Sequence, residues 1–253
     1  MLKILLCGCM GRMGRAVAEL VSRDEDAVVA AGVDRVPGAS ADFPVYPDLS
    51  AVDAAVDAVV DFSHRSALPA ILAFCARTGT PAVLASTGYT AEDDAAVAAA
   101  SETLALFRSA NMSLGVALLT HLTAIAAREL GDDFDVEIIE RHHNKKLDAP
   151  SGTALHLAET VRAASASPKT EIYDRHAVRR ERGKAEIGMH AVRGGTIIGE
   201  HEVLFAGWNE TISLSHSAQS REVFAAGALR AARFLAAVGK PGLYGMEDLF
   251  RRP

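Results

Sequence analysis

The chain has few cysteines, no long apolar run, no block of like charge and no internal repeat, and each lack removes a class of protein. Three cysteines, Cys7, Cys9 and Cys75, stand among 253 residues. They are odd in number and set in apolar runs, which reads as reduced thiols of a cytoplasmic protein rather than a disulfide framework. Cys7 and Cys9 lie one residue apart, too close for a zinc pair, and the histidines show no H-E-x-x-H spacing, so no metal is expected. The opening Met1-Leu2-Lys3-Ile4-Leu5-Leu6-Cys7 breaks at Gly8 with no cleavage signal and too little length to span a bilayer. A net charge of -6 without a basic tail or stripe disfavours nucleic acid and anionic membranes as partners. Local Lys and Arg clusters must then serve something small.

What is present is a globular composition, 49% hydrophobic and 23% charged, with length for one large domain or two smaller ones. The first half alternates short β-rich runs (3–7, 28–33, 58–62, 82–85, 104–107) with helical patterns (15–22, 66–78, 91–102). That rhythm predicts an α/β fold, a Rossmann-like doubly wound parallel sheet with helices on both faces. After Asn111-Met112-Ser113 the rhythm changes. A long apolar helix (116–129), a strand (135–140), a second helix (152–164) and three β runs (187–193, 196–205, 210–216) predict a second α+β domain with a mixed sheet. The helical segment 221–238 needs a partner sheet and is assigned back to the first domain, followed by a tail, 239–253. The expected domains are therefore 1–113 with 222–253, and 114–221.

Gly8-Cys9-Met10-Gly11-Arg12-Met13-Gly14 follows the first strand and opens the first helix, where a dinucleotide pyrophosphate binds in a doubly wound fold. The spacing is G-x-x-G-x-x-G and lacks the usual middle glycine. Asp34, twenty residues after Gly14 at the end of the second strand, suits the ribose hydroxyls of NADH, and Arg35 suits the 2′-phosphate of NADPH, so tolerance of both is expected. The plain alternative is a tight turn and a solvated strand end, and Arg12 reads equally as a surface cation. Further loops, Asp61-Phe62-Ser63, Ala85-Ser86-Thr87-Gly88 and Ser109-Ala110-Asn111-Met112, fall at the same carboxyl edge of the sheet.

The densest chemistry lies in Glu140-Arg141-His142-His143-Asn144-Lys145-Lys146-Leu147-Asp148-Ala149-Pro150-Ser151-Gly152-Thr153-Ala154. Successive side chains at a strand end point to opposite faces, so His142 and His143 have separate tasks, one donating a proton and one binding substrate. Lys146 follows His142 by four residues. Ser151 fits a helix N-cap, and the amides of Gly152 and Thr153 stand at the positive end of that helix. A carboxylate held there and by Lys146 is fixed twice, which points to a dicarboxylate or cyclic diacid. The bland reading is a solvated polar loop before a capped helix. His64, His121, His156, His176, His190, His201 and His216 read as packed or surface imidazoles.

On these residues the chain resembles the 4-hydroxy-tetrahydrodipicolinate reductase (dihydrodipicolinate reductase) family of the diaminopimelate and lysine pathway. The likeness also covers Arg193-Gly194-Gly195-Thr196-Ile197-Ile198-Gly199-Glu200-His201 and Ser215-His216-Ser217-Ala218-Gln219-Ser220-Arg221, and so spans nearly the whole chain. It implies hydride transfer from NADH or NADPH to a cyclic imine dicarboxylate with net loss of water, giving (S)-2,3,4,5-tetrahydrodipicolinate. It implies His142 as proton donor, Lys146 as the second catalytic position, and His143, Gly152 and Thr153 on the substrate carboxylates, with Ser151 beside them. Gly8, Cys9, Met10, Gly11, Arg12, Met13, Asp34, Arg35, Ala85, Ser86, Thr87, Ser109, Ala110, Asn111 and Met112 match nucleotide-contacting positions. Ala85-Ser86 stands where the family commonly has Gly-Thr, and Met112 where it often has Phe. The family is mostly tetrameric through its β-rich domain, which implies a homotetramer. The alternatives from the residues are a nicotinamide-dependent reductase of another small dicarboxylate, or a non-catalytic NAD(H) sensor.

Overall fold

The computed structural model describes residues 1–35, 42–177 and 179–250 and divides into two compact units, Met1–Leu114 with Arg221–Pro253, and Gly115–Ser220. The last residues of the expected tail, 251–253, lie outside the described residues.

Unit 1 is built on seven parallel strands. In chain order its elements are β1 (Leu2–Cys7), α1 (Arg12–Ser22), β2 (Ala27–Val33), β3 (Val45–Tyr46), β4 (Ala58–Asp61), α2 (Leu68–Thr78), β5 (Ala82–Leu84), α3 (Ala91–Ala100) and β6 (Ala105–Arg108). The sheet runs β12-β6-β5-β4-β1-β2-β3, its edge closed by β12 (Gly242–Tyr244) from the C-terminal segment. In β1, β4 and β5 successive residues are buried on both faces of the sheet, which is why those runs read as continuous apolar sequence. Leu5, Val59, Leu84 and Leu106 pack with Leu68, Ile71 and Phe74 of α2 and Val97 of α3. The other face is covered by α1 and by α6 (Glu222–Val238), whose buried stripe includes Ala225, Ala228, Leu229 and Ala232. The doubly wound parallel sheet is thus present, with α6 on it.

The chain winds outward in both directions from the β1/β4 pair, the place where strand order reverses and where such sheets bind ligands beyond their carboxyl ends. The turn after β1 is compressed there. Gly8 has φ of 75°, and a Cβ on it would stand 2.8 Å from the Phe62 carbonyl oxygen. A Cβ on Gly14 would stand 2.1 Å from the Gly8 oxygen and 2.6 Å from the Cys9 Cα. Both obstacles are backbone, so Gly14→Ala must displace the turn. We expect it to cost about 1–3 kcal/mol, read as a lowered Tm, and to weaken NAD(P)H binding. An unchanged Tm and an unchanged cofactor affinity would show that the close approach is dispensable.

Unit 2 contains α4 (Leu114–Leu130, whose first residue belongs to unit 1), β7 (Asp135–His142), α5 (Gly152–Ala164), β8 (Thr170–Ile172), β9 (Glu186–Arg193), β10 (Gly199–Gly207) and β11 (Glu210–Ala218). The five-stranded sheet runs β11-β10-β7-β9-β8 and is mixed. β10 is antiparallel to both β7 and β11, and β9 is parallel to β7 and β8. One face carries the core, where Val136, Ile138, Ile187, Met189, Val203 and Phe205 pack with Leu119 and Ala127 of α4 and with Leu157, Ala158 and Val161 of α5.

Several boundaries differ from the sequence expectation. The strand expected to stop at Glu140 continues through His142, because Arg141 is paired on both sides, with Glu200 and Val192, and His142 is paired with Arg193 of β9. The run expected from Thr196 begins at Gly199, since Gly195, at φ of 49°, turns the chain before it. β3, β8 and β12 have two or three residues each, too few to show alternation, and the expected tail contains β12 and a short 3-10 turn.

Candidate functional site

In unit 1 the residues expected at a nucleotide converge on the carboxyl edge of the sheet. Met10 donates its amide to Asp34 Oδ2 at 3.0 Å, which ties the glycine turn to the end of β2. Arg35 is exposed and donates to the Ser66 hydroxyl at 3.0 Å, and Ser66 also lies 3.0 Å from His64 Nδ1. Gly11 is the N-cap of α1 and has no side chain to fill that position, so the first amides of the helix face outward. Cys9 is buried, and Arg12 is exposed. The loop 109–113 is folded on itself: Ser109 Oγ donates to the Asn111 carbonyl at 2.7 Å, and Asn111 Oδ1 accepts from the Ser113 amide at 2.9 Å. Met112 is buried over Gly227, where a Cβ would stand 1.7 Å from the Met112 oxygen.

Ser86 departs from a simple ligand-facing role. Its hydroxyl is buried and donates to Asp61 Oδ2 at 2.7 Å, while Ser63 donates to Oδ1 from its amide at 2.9 Å and from its hydroxyl at 2.5 Å. Asp61 is 1% exposed, and burial pushes its carboxyl up despite these donors and the nearby Arg108. What residue 86 offers a ligand is therefore its backbone, beside exposed Thr87.

In unit 2 the strand end, the connection and the start of α5 form one network. Glu140 and His142 share a face of β7, and His142 Nδ1 lies 2.5 Å from Glu140 Oε2. Glu140 is 1% exposed and is held by three further donors. Arg193 on β9 reaches both oxygens, at 2.7 and 2.8 Å, and the Ser151 amide reaches Oε1 at 3.0 Å. Burial works against its charge, yet Arg193, His142 and the Ser151 amide together hold the carboxyl below its ordinary range. Burial likewise pushes His142 down, with Glu140 opposing and Lys146 and Arg193 adding to the fall.

The Ser151 hydroxyl caps the Ala154 amide at 3.2 Å and lies 3.0 Å from His201 Nε2. Its hydroxyl and amide are both engaged inside the protein, so Ser151 frames the site rather than facing it. Gly152 is exposed with open space where its Cβ would be, and Thr153 follows it in the first turn. Lys146 Nζ is 2.9 Å from Asp148 Oδ1. His143 follows the last residue of β7, and its Nδ1 is buried without a hydrogen-bond partner among the described residues.

Three members of this network are not among the expected site residues: Glu140, Arg193 and His201. His201 rests edge-on against His142, with centroids 5.1 Å apart, and burial, then the charge of His142, pushes its pKa down to about 4. The alternation Glu140-x-His142 is a readable signal for the first of them.

Two family models cover the chain: "Dihydrodipicolinate reductase, N-terminus" matches residues 2–112 and "Dihydrodipicolinate reductase, C-terminus" residues 115–250. The chain belongs to the dihydrodipicolinate reductase family. Curated relatives named 4-hydroxy-tetrahydrodipicolinate reductase include that of Caldanaerobacter subterraneus, 48% identical over 100% of this chain and 99% of the relative. That of Clostridium botulinum is 43% identical over 98% of each chain. Among solved structures, the dipicolinate-bound dihydrodipicolinate reductase from Paenisporosarcina superposes with a TM-score of 0.82 at 26% identity, covering 98% of this chain and 99% of that one. A probable dehydrogenase from Thermotoga maritima, with a TM-score of 0.60 at 14% identity, shares the fold. As a dihydrodipicolinate reductase family member, the protein is an NAD(P)H-dependent oxidoreductase of diaminopimelate and lysine biosynthesis acting on a dihydrodipicolinate-type dicarboxylate.

Proposed function

We propose that unit 1 holds the dinucleotide and unit 2 holds the substrate and supplies the proton in the reduction of 4-hydroxy-tetrahydrodipicolinate to (S)-2,3,4,5-tetrahydrodipicolinate. NAD(P)H fits unit 1 because the Gly8–Gly14 turn leaves no room for a Cβ and so brings bare backbone to the helix start. When bound there it supplies the hydride. Gly8, Cys9, Met10, Gly11, Arg12 and Met13 line the pyrophosphate, and Asp34 and Arg35 take the ribose end. The loops of Ala85, Ser86 and Thr87 and of Ser109, Ala110, Asn111 and Met112 flank the nicotinamide.

His142 donates the proton to the reduced ring from Nε2, since its Nδ1 is committed to Glu140. Lys146 places a cation where negative charge builds, and His143 with the amides of Gly152 and Thr153 holds the carboxylates at the positive end of α5. The observation that carries this reading is the His142 imidazole held by Glu140 beside the start of α5. Its test is the replacement of His142 by glutamine, with turnover and cofactor affinity read separately.

Arg35, fixed by Ser66, serves NADPH through the 2′-phosphate, and Asp34 serves NADH. Arg35→Ala is expected to raise KM for NADPH by about 10-fold or more, the worth of one charge-assisted hydrogen bond, and to leave KM for NADH within about twofold. Equal effects on the two cofactors would remove the role.

The protein works in the cytoplasm as a homotetramer, without nucleic acid or membrane as partner. Supporting this reading are the free cysteines, the net charge of -6, and the sheet face opposite α5, where Ile139, Val192 and Leu204 are at least partly exposed. Among the described residues no helix is long and apolar enough to cross a membrane. A monomer in sedimentation at micromolar concentration would contradict the tetramer.

A further inference from the structure

We propose that Glu140 and Arg193 are a positioning pair for His142, with Glu140 fixing the imidazole's orientation and tautomer and Arg193 limiting how strongly that carboxylate holds the proton. The proposal rests on the reading of His142 as proton donor and adds two residues that touch neither substrate nor cofactor.

The geometry carries it in four parts. First, the 2.5 Å contact between His142 Nδ1 and Glu140 Oε2 makes Nδ1 the donor to a carboxylate, so that Nε2 is the nitrogen left to exchange a proton. Second, Nε2 lies beside Gly199 of β10, where a Cβ would stand 3.1 Å from it, so the glycine spares that nitrogen a close side-chain contact. Third, Glu140 is itself immobilised: the parallel register of β7 and β9 sets Arg193 opposite His142, and the guanidinium grips both carboxylate oxygens. Fourth, the Ser151 amide binds the same carboxylate, and Arg193 also donates to the Asp148 carbonyl at 2.6 Å. One carboxylate thus joins the proton donor to the connection and the helix start assigned to the substrate.

The charge balance follows from the groups that face the ring. Glu140 from β7 favours the imidazolium. Burial, Lys146 from the connection and Arg193 from β9 disfavour it, while neighbouring His201 from β10, pushed down to about 4 by burial and then by the charge of His142, stays neutral. His216 on β11 is paired with His201 across the sheet and is pushed down by burial, and Asp148 is neutralised against Lys146. A bare Glu140 would hold the proton too firmly to release it, and Arg193 draws part of that charge away.

The test is the pH dependence of kcat/KM for wild type, E140Q, R193Q and H142Q, with NADPH affinity and thermal unfolding as folding controls. The donor must be protonated, so kcat/KM is level at low pH and falls as pH rises through the His142 pKa. In E140Q the imidazolium loses its counter-charge, and the fall moves to lower pH by about 1 unit. Its kcat drops about 10-fold or more, as losing a carboxylate that orients a histidine does at metal sites, with KM little changed. In R193Q the fall moves the other way, to higher pH. Shifts of opposite sign are not produced by a merely structural role, which lowers activity without moving the fall. If E140Q fails to fold, R193Q alone decides. A fall that stays in place in either folded variant overturns the proposal, provided H142Q abolishes it. If H142Q keeps the wild-type fall and turnover, the reading of His142 itself fails.

Discussion

His142→Gln is expected to lower turnover by two or more orders of magnitude while NADPH affinity stays near that of wild type. The magnitude is that of general acid catalysis by a positioned side chain, about 10²–10⁴-fold, and at about 1.4 kcal/mol per tenfold it corresponds to at least about 3 kcal/mol of transition-state stabilisation. Glutamine fills much of the volume and keeps a polar group near Glu140, so the network of Arg193 and Ser151 around that carboxylate has a partner to retain. The cofactor residues assigned here all belong to unit 1, whereas His142 belongs to unit 2. A proton donor therefore separates cleanly from a cofactor ligand. Steady-state kinetics and a fluorescence titration of NADPH check this: unchanged turnover removes the catalytic role, and a parallel loss of NADPH affinity shows that the substitution acts through the fold.

The second large effect is on stability at acid pH. His201 is neutral in the folded protein, its pKa pushed down to about 4 by burial and then by the charge of His142, while an unfolded histidine titrates at about 6.5. The unfolded chain therefore binds the extra proton first. A depressed histidine contributes stability that is fully present above pH of about 6.5, is lost as pH falls toward about 4, and changes no further below that. The displacement corresponds to about 3 kcal/mol. His142 and His216, both lowered, act in the same direction. Urea unfolding followed by circular dichroism between pH 7.5 and 4.5 should show this loss, and His201→Asn should flatten the slope by most of that amount whatever its stability at neutral pH. A slope equal to that of wild type in the variant would mean that His201 takes up its proton without unfolding.

How much of this was legible in the sequence depended on the range of the interaction. Short-range features could be read directly. The rhythm of strand and helix gave the parallel sheet, Pro150-Ser151 marked the start of α5, and Gly8 to Gly14 marked a turn whose tightness is visible in the contacts that a Cβ would make. The His-His pair suggested division of labour, and the strand alternation puts His142 toward Glu140, while His143 follows the end of β7.

Glu140 was hidden by one misplaced boundary. With β7 ended at Glu140, the carboxylate and His142 have no shared face; with the strand carried to His142, they must share one. Arg193 and His201 were out of reach for a different reason. They arrive through the registers of β9 and β10 on β7, pairings between segments about fifty to seventy residues apart that no local pattern encodes. His201 consequently looked like any packed imidazole, although its ring and Ser151 Oγ complete the same network. Asp61 was similar: its loop was noticed at the sheet edge, but its burial and its hold on Ser86 depend on β4 and β5 lying side by side.

The most direct measurement is the oxidation of NADPH and of NADH by the wild-type protein on enzymatically generated 4-hydroxy-tetrahydrodipicolinate, with open-chain dicarboxylates alongside. The account predicts turnover of the cyclic substrate with both cofactors, formation of tetrahydrodipicolinate, and negligible turnover of the open-chain acids. Cofactor oxidation no faster with the cyclic substrate than without it would contradict the account.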